Sequence, residues 1–455
     1  MPALIPLDAL GPSGPYRTVR TARVDDVSGR PVAELSLVPA LYAHRAVTAL
    51  RRAEPLPPER LRAVLAEAGA AFAEGRVDGV DAETYCRTVA RVSGLPISTV
   101  RTAAADLGAH AATAVDTANQ ARPVGAAGDW RDESTSKGSG LWVRKGDVLA
   151  VNAPANTPEV HAAWLDAVAL GYRVAVRPSR REPVTPHRLV SALRQAGLGD
   201  DRLVLLPGEH GTADAIINAA DLAITFGGDD VVSRYSGTGV LPQGPGRSKV
   251  LLTADADRTS FVDTVVESVA SQAGTGCINA TAVFVEGDPA PIAEEIAARL
   301  AELPVLPPED ERAALPVRPV EEARALARYL KERADDARCL LGRHGVAVEL
   351  GDGSAVLTPA VHLLERADAP QARIELGFPC VWVAPWDRSQ GVEPLRDTLV
   401  LTVFTDDDDL VDRLVRQPDI ANVHVGPYAT TWRRPGLPHD GYLGEFLMRG
   451  KTFVR

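Results

Sequence analysis

The stretch SQAGTGCINATAVFV, residues 271–285, sets a single cysteine, Cys277, after closely spaced glycines and before a strand-like apolar run. A thiolate is a strong nucleophile, and its reactivity depends on nearby donors or positive charge that lower its pKa. Read alone, Cys277 is equally a buried inert thiol, because free cysteine is among the most buried residue types. The other cysteines are Cys86, Cys339 and Cys380, with no CxxC pair and no Cys/His cluster at zinc spacing, so no metal site is expected. Two further segments carry groups suited to an anion. RPSR (177–180) holds Arg177 and Arg180 around Ser179, and a guanidinium is well shaped for phosphate, although Arg180 also reads as a solvated surface charge. TFGGDD (225–230) places Gly227 and Gly228 where a strand gives way to a helix, which permits close anion approach. Asp229 reads there as a helix N-cap.

These residues sit on a regular alternation. DVLAVNAP, YRVAVRP, RLVLLPG and LAITFGG are short apolar runs separated by helical patterns in TPEVHAAWLDAVALG, TPHRLVSALRQAG and GTADAIINA. Strands alternating with helices in this way predict crossover units and a parallel sheet covered on both faces. A second such unit begins near 246, with strands at KVLLTAD, TAVFVEG, GVAVEL, CVWVAPW and LVLTVFT. Earlier, PPERLRAVLAEAGAAFAEG and DAETYCRTVARVSG read as glycine-terminated helices. The Gly/Ser-rich segment 121–146 reads as a loop or hairpin leaving the body, and the last thirty residues as loop plus terminal strand. Trp164, Trp382, Trp386 and Trp432 read as core or interface.

The 455 residues exceed one small core and predict two or three domains, and the formal charge of −11 disfavours nucleic acid as a main partner. The N-terminus lacks a signal-peptide pattern, and no run reaches the roughly 18 apolar residues of a membrane helix. A cytoplasmic protein with free thiols and no membrane contact is expected.

The order of these motifs over roughly residues 140–455 resembles the aldehyde dehydrogenase superfamily. The resemblance implies an α/β fold: a Rossmann-type parallel-sheet cofactor domain (1–245, with 121–146 as an oligomerisation excursion), an α/β catalytic domain (246–427) and a C-terminal oligomerisation tail (428–455). It implies a homodimer or homotetramer. Cys277 matches the family's nucleophile. Asn152 in VNAP matches the asparagine that shares the oxyanion with the nucleophile's backbone N–H, with Asn156 as the alternative. Arg177, Ser179 and Arg180 stand where Lys-Pro-Ser-Glu holds the adenosine ribose. Arg180 reverses the charge that selects against a 2′-phosphate, so NADP(H) is expected as the preferred cofactor, with NAD(H) second. Gly227, Gly228 and Asp229 fall at the pyrophosphate position. Glu375 in IELGFPCVWV matches the carboxylate on the nicotinamide ribose, with Phe378 beside it and the family's Phe-Gly order swapped.

One departure chooses the reaction. Hydrolytic members carry a glutamate roughly 34 residues before the nucleophile, and that count lands here on Gln243 in LPQGPGRSK. An amide cannot take the proton from the water that would hydrolyse an acyl-enzyme. The resemblance therefore implies reduction of an acyl thioester, from coenzyme A or an acyl carrier protein, to an aldehyde by NAD(P)H. Members that reduce acyl groups similarly lack the glutamate, and FGG resembles the fatty acyl reductases of bacterial luminescence. The alternatives are an ordinary aldehyde dehydrogenase using another base such as Glu267 or Glu209, an acyl-phosphate reductase, and a catalytically silent nucleotide-binding homologue.

Overall fold

The computed structural model describes residues 4–235 and 239–455. Two seven-stranded sheets organise it. The first runs in the order Val240–Gln243, Leu222–Phe226, Val148–Asn152, Arg173–Arg177, Leu203–Leu205, then the hairpin Ala9–Gly11 and Gly14–Tyr16 at one edge. The first five strands are parallel and the hairpin is antiparallel. Side chains alternate across it, as strand geometry requires. Leu149, Val151, Val174 and Val176 face a core shared with the helices Pro58–Glu74, Ile97–Ala118 and Val184–Gln195. Val148, Ala150, Ala175 and Val204 face a second core under Ala40–Leu50 and His210–Ala219. Coverage on both faces is why these strands read as unbroken apolar runs.

The chain enters this sheet's parallel core at Val148–Asn152, builds outward through Arg173–Arg177 and Leu203–Leu205, then returns to the other side for Leu222–Phe226 and Val240–Gln243. The direction of winding therefore reverses between Val148–Asn152 and Leu222–Phe226. In open α/β sheets a ligand crevice forms outside the carboxyl ends of the strands at such a reversal. Asn152, Arg177 and Gln243 all end strands on that edge.

The second sheet runs Arg338–Leu341, Ala360–Leu363, Cys380–Trp386, Ala280–Glu286, Ser248–Leu252, Thr398–Phe404, Ile420–Val425, with only Arg338–Leu341 antiparallel. It too alternates between two cores. Leu251, Phe284, Trp382 and Leu401 fill one, and Val250, Val283, Val285 and Val383 fill the other. Trp164, Trp382 and Trp386 are buried and Trp432 is exposed. The strand Ser139–Arg144 pairs antiparallel with Met448–Phe453, joining the 121–146 segment to the C-terminal end. The segment TPEVHAAWLDAVALG is not one uniform helix. It opens as a 3-10 turn at Pro158–His161 and becomes α-helical only over Ala162–Ala169. No helix among the described residues is long and apolar enough to cross a membrane.

The helices Pro58–Glu74 and Ile97–Ala118 cross where glycine faces glycine. A Cβ on Gly69 would lie 2.4 Å from the Gly108 carbonyl oxygen. Gly69→Ala is expected to push the helices apart and cost about 1–3 kcal/mol, read as a lower urea midpoint at unchanged slope.

Candidate active site

Cys277 lies in the connection between the helix Phe261–Ala270 and the strand Ala280–Glu286. The backbone approaches it through three successive left-handed residues, Gln272 (φ 53°), Ala273 (φ 60°) and Gly274 (φ 67°). Left-handed non-glycine residues are disfavoured and persist only where surroundings over-determine them. Several contacts do so here. Thr275 Oγ1 donates to the Gln272 carbonyl at 2.9 Å, and Gln272 Nε2 donates to Glu159 Oε2 at 2.7 Å. Gly274 has no room for a side chain, since a Cβ would sit 2.4 Å from Pro379 N. On the far side of the cysteine, Asn279 Oδ1 accepts from the Gly276 N–H at 2.8 Å. Its Nδ2 donates to the carbonyls of Ser271 (2.8 Å) and Ser268 (3.1 Å). The Cys277 carbonyl accepts from Ser248 Oγ at 3.1 Å. Gly246 lies so close that a Cβ there would be 1.8 Å from the same oxygen.

Among the described residues the thiol has one side-chain hydrogen-bond partner. Cys277 Sγ is 3.5 Å from Nε2 of His439, 162 residues later in the chain. The backbone of His439 is tied to the second sheet, because Asn422 Nδ2 donates to its carbonyl and, at 2.8 Å, to that of Leu399. Burial pushes the thiol pKa up to about 12, helped by the negative charge of Glu375. His439 is exposed as a residue, yet the protein atoms around its ring hold the imidazole pKa below the ordinary histidine value, against the opposing charge of Asp440. At neutral pH the resting pair is therefore thiol and neutral imidazole.

Glu375 accepts from the Arg247 N–H at 2.8 Å. Burial raises its pKa to about 6, with the N–H groups of Arg247 and Gly246 opposing. Arg247 is a clasp. Its Nη2 takes both oxygens of Asp229, at 2.7 and 2.6 Å, and its Nε donates to the Arg373 carbonyl at 3.2 Å. Asp229 is thus the first residue of the helix Asp229–Tyr235, with its carboxylate on Arg247, and does not cap the helix as the sequence suggested. Gln243 ends its strand three residues before Gly246, and its carbonyl accepts from the Gly227 N–H at 3.1 Å.

Asn152 ends its strand beside Arg177. Its Oδ1 accepts from Arg177 Nη1 at 2.7 Å, while Arg177 Nη2 and Nε donate to the Gly208 carbonyl. Asn156 is exposed, three residues before the Glu159 that holds Gln272. Ser179 Oγ accepts from the Arg181 N–H at 3.2 Å. Arg180 pairs with Glu209 at 3.3 Å, and Glu209 also meets Arg20. Gly227 and Gly228 are both exposed beside that edge. Phe378 corrects an expectation. The swapped order turns Gly377 outward and buries Phe378 at 1% exposure in the core beneath the cysteine loop. Glu267 is exposed on its helix, and Glu209 is held in its two ion pairs. His439, Arg247 and Glu159 were missed by sequence reasoning. Among the described residues no cluster of three or more His, Cys, Asp or Glu side chains is arranged to hold a metal ion.

A cysteine loop between helix and strand, beside a parallel sheet whose winding reverses, agrees with the match of residues 21–444 to the aldehyde dehydrogenase family. The chain belongs to the aldehyde dehydrogenase family. Malonate-semialdehyde dehydrogenase 2 of Bacillus mycoides (strain KBAB4) is 28% identical over 179 residues, which are 37% of this chain and only 36% of that protein. The 2-hydroxymuconic semialdehyde dehydrogenase of Pseudomonas sp. (strain CF600) is 25% identical over 305 residues, 62% of each chain. Among solved structures, an indole-3-acetaldehyde dehydrogenase complexed with NAD+ superposes with a TM-score of 0.84 at 18% identity, covering 99% of this chain and 97% of the other. An NADP-dependent enzyme of E. coli superposes at 0.83 and 16% identity, covering 99% and 98%. The whole chain thus has the aldehyde dehydrogenase fold.

The Glu375 shift has a consequence for stability. A carboxyl whose folded pKa lies above the ordinary value favours the folded state at low pH, and that contribution is lost as pH rises through about 6. Glu375→Gln keeps an acceptor for Arg247 and is neutral throughout. Its melting temperature relative to the native protein is expected to rise by about 2 °C between pH 4.5 and 7.5, measured by calorimetry at matched ionic strength.

Proposed function

We propose that this protein reduces an acyl thioester, carried by coenzyme A or an acyl carrier protein, to an aldehyde with NADPH, through a thioester on Cys277. The observation that supports this best is the amide at Gln243, on the strand that leads into the Gly246 turn against the cysteine. In a hydrolytic relative that position would offer a carboxylate to water. Here the side chain has no proton-accepting group at neutral pH, so the acyl-enzyme is left for a thiol or for hydride. The second reading, oxidation of a free aldehyde to an acid, finds no support in the bases it would need, since Glu267 is exposed on its helix and Glu209 is held in two ion pairs.

The residues fit a dinucleotide at the carboxyl edge of the first sheet. Thr225 is fully buried at the winding reversal, and its hydroxyl has no partner among the described residues. Arg177 lies half-buried beside it, with its pKa lowered first by burial and then by Arg180. The Arg180–Glu209 pair is half-exposed, and such pairs contribute under about 1 kcal/mol. A phosphate, which an arginine takes bidentately, therefore competes with Glu209 for Arg180. When bound, NADPH would supply hydride to the carbonyl carbon of the thioester. The protein's own part is positioning. Cys277 attacks the acyl carbon. In this proposal its backbone N–H and the Asn156 amide hold the oxyanion, while Asn152 orients Arg177. Glu375 and Arg247 hold the two sheets in register beneath the reacting groups. The proposal assigns 1–245 to the cofactor, 246–427 to catalysis, and the paired strands Ser139–Arg144 and Met448–Phe453 to contact between subunits.

Three measurements check this reading. With a panel of acyl-CoA lengths, nicotinamide absorbance should show turnover that falls about 10³-fold or more in Cys277→Ala. Gln243→Glu should gain thioester hydrolysis without nicotinamide. Equal rates for native and Cys277→Ala would remove the thiol from the reaction. For cofactor choice, Arg180→Glu is expected to lower the NADPH/NADH ratio of kcat/KM by about tenfold, and an unchanged ratio would remove Arg180 from that role.

A further inference from the structure

We propose that His439 is the proton acceptor and donor for Cys277. The inference deepens the reading above and rests on Cys277 being its nucleophile. Three observations carry it. The imidazole Nε2 lies 3.5 Å from Sγ, within reach of a thiol hydrogen bond. The residue is anchored from a different element than the cysteine, through its carbonyl to Asn422 on the strand Ile420–Val425. The group expected to act as a base from the sequence register, at position 243, is an amide. A buried nucleophile paired with a base within hydrogen-bond reach is the general arrangement for activating a weak nucleophile.

Charged groups face the pair from several elements. Arg433 and Asp440 flank it on the C-terminal segment, Glu375 faces the thiol from the loop before Cys380–Trp386, and Glu159 takes up Arg433. His439 is exposed, and Arg433 and Asp440 oppose one another at its imidazole, whose pKa is lowered chiefly by the protein atoms packed around the ring. The ring is therefore neutral at physiological pH and ready to accept a proton. Burial of the thiol keeps it from ionising alone.

The step balances without an added reagent. As Cys277 Sγ bonds to the acyl carbon, its proton passes to Nε2 and the carbonyl electron pair moves to oxygen. When the adduct collapses, the carbon–sulfur bond to the donor thiol breaks. The departing sulfur takes the proton from Nε2 and leaves as a free thiol, with the acyl group on Cys277. One ring thus serves as base in attack and as acid in departure.

The test reads Cys277 itself. Iodoacetamide alkylation is followed from pH 5.5 to 10.5 by mass spectrometry of the peptide carrying Cys277, which separates it from Cys86, Cys339 and Cys380. In the native protein the rate should climb as the imidazole loses its proton, then stay level from about pH 7 to 9. In His439→Gln it should be at least about tenfold lower at pH 7.5 and converge on the native rate by pH 10.5, where hydroxide ionises the thiol directly. A native profile that climbs about tenfold per pH unit through pH 9 would overturn the proposal, and it needs no variant to fold. So would a native-to-variant ratio that stays constant across the range. Because alkylation needs no substrate, a thioester that proves inert contradicts the proposed function and leaves this result standing.

Discussion

The contact on which the site depends is the near-collision of two backbones, Gly246 against the carbonyl of Cys277. A single added methyl group would sit 1.8 Å from that oxygen. Only glycine permits this approach, and everything chemical is arranged around it. Three residues upstream is Gln243. One residue downstream, Arg247, held at φ 46°, reaches Asp229 in the first sheet's territory and binds Glu375 in the second's through its backbone. Ser248 then donates to the Cys277 carbonyl and begins an interior strand of the second sheet, next to the central one. Six consecutive residues thus end one sheet, bridge the junction and start the other. The position of the thiol relative to the cofactor edge is set by this short passage and by little else.

Around that joint the electrostatics favour neutrality. The thiol is raised by burial and by Glu375, the imidazole of the exposed His439 is lowered by partial loss of solvent, and Glu375 is itself raised. Low-dielectric surroundings penalise each charged form. A site built this way keeps Cys277 protonated as a thiol at rest, and under the proposed reaction the thiol loses its proton only as an electrophile arrives. It also stores strain. Three left-handed residues in a row, two of them not glycine, turn the chain into the cysteine and are held by Glu159, Thr275, Asn279 and the Phe378–Pro379 backbone. Strained backbone of this kind concentrates at functional sites, where it fixes geometry that a relaxed loop would lose.

The parallel sheets were legible because their strands are buried on both faces and read as short apolar runs between helical periods. The cysteine loop was legible because glycine, a nucleophile and a strand follow one another without a gap. What was not legible came from far along the chain. His439 sits in PHDG, a turn-like stretch with no periodicity, and reaches Cys277 across 162 residues. Arg247 looked like an ordinary charge between two strands, and Glu159 like one face of a helix that in fact opens as a tight 3-10 turn. Phe378 misled for a local reason, because reversing the order of glycine and phenylalanine exchanges which of the two faces the core. The cap expected at Asp229 failed because an arginine supplied from the joint outcompetes the helix's own N–H groups for the carboxylate.

The central claim is that the acyl group rests on Cys277 and is shielded from water by an amide at position 243. Intact-protein mass spectrometry after mixing the enzyme with acyl-CoA, with nicotinamide left out, tests it most directly. The account predicts a stoichiometric acyl adduct, localised to Cys277, that persists in water for many turnover times and disappears promptly when free coenzyme A is added. An adduct that never forms on Cys277, or one that water removes as fast as coenzyme A does, would contradict it.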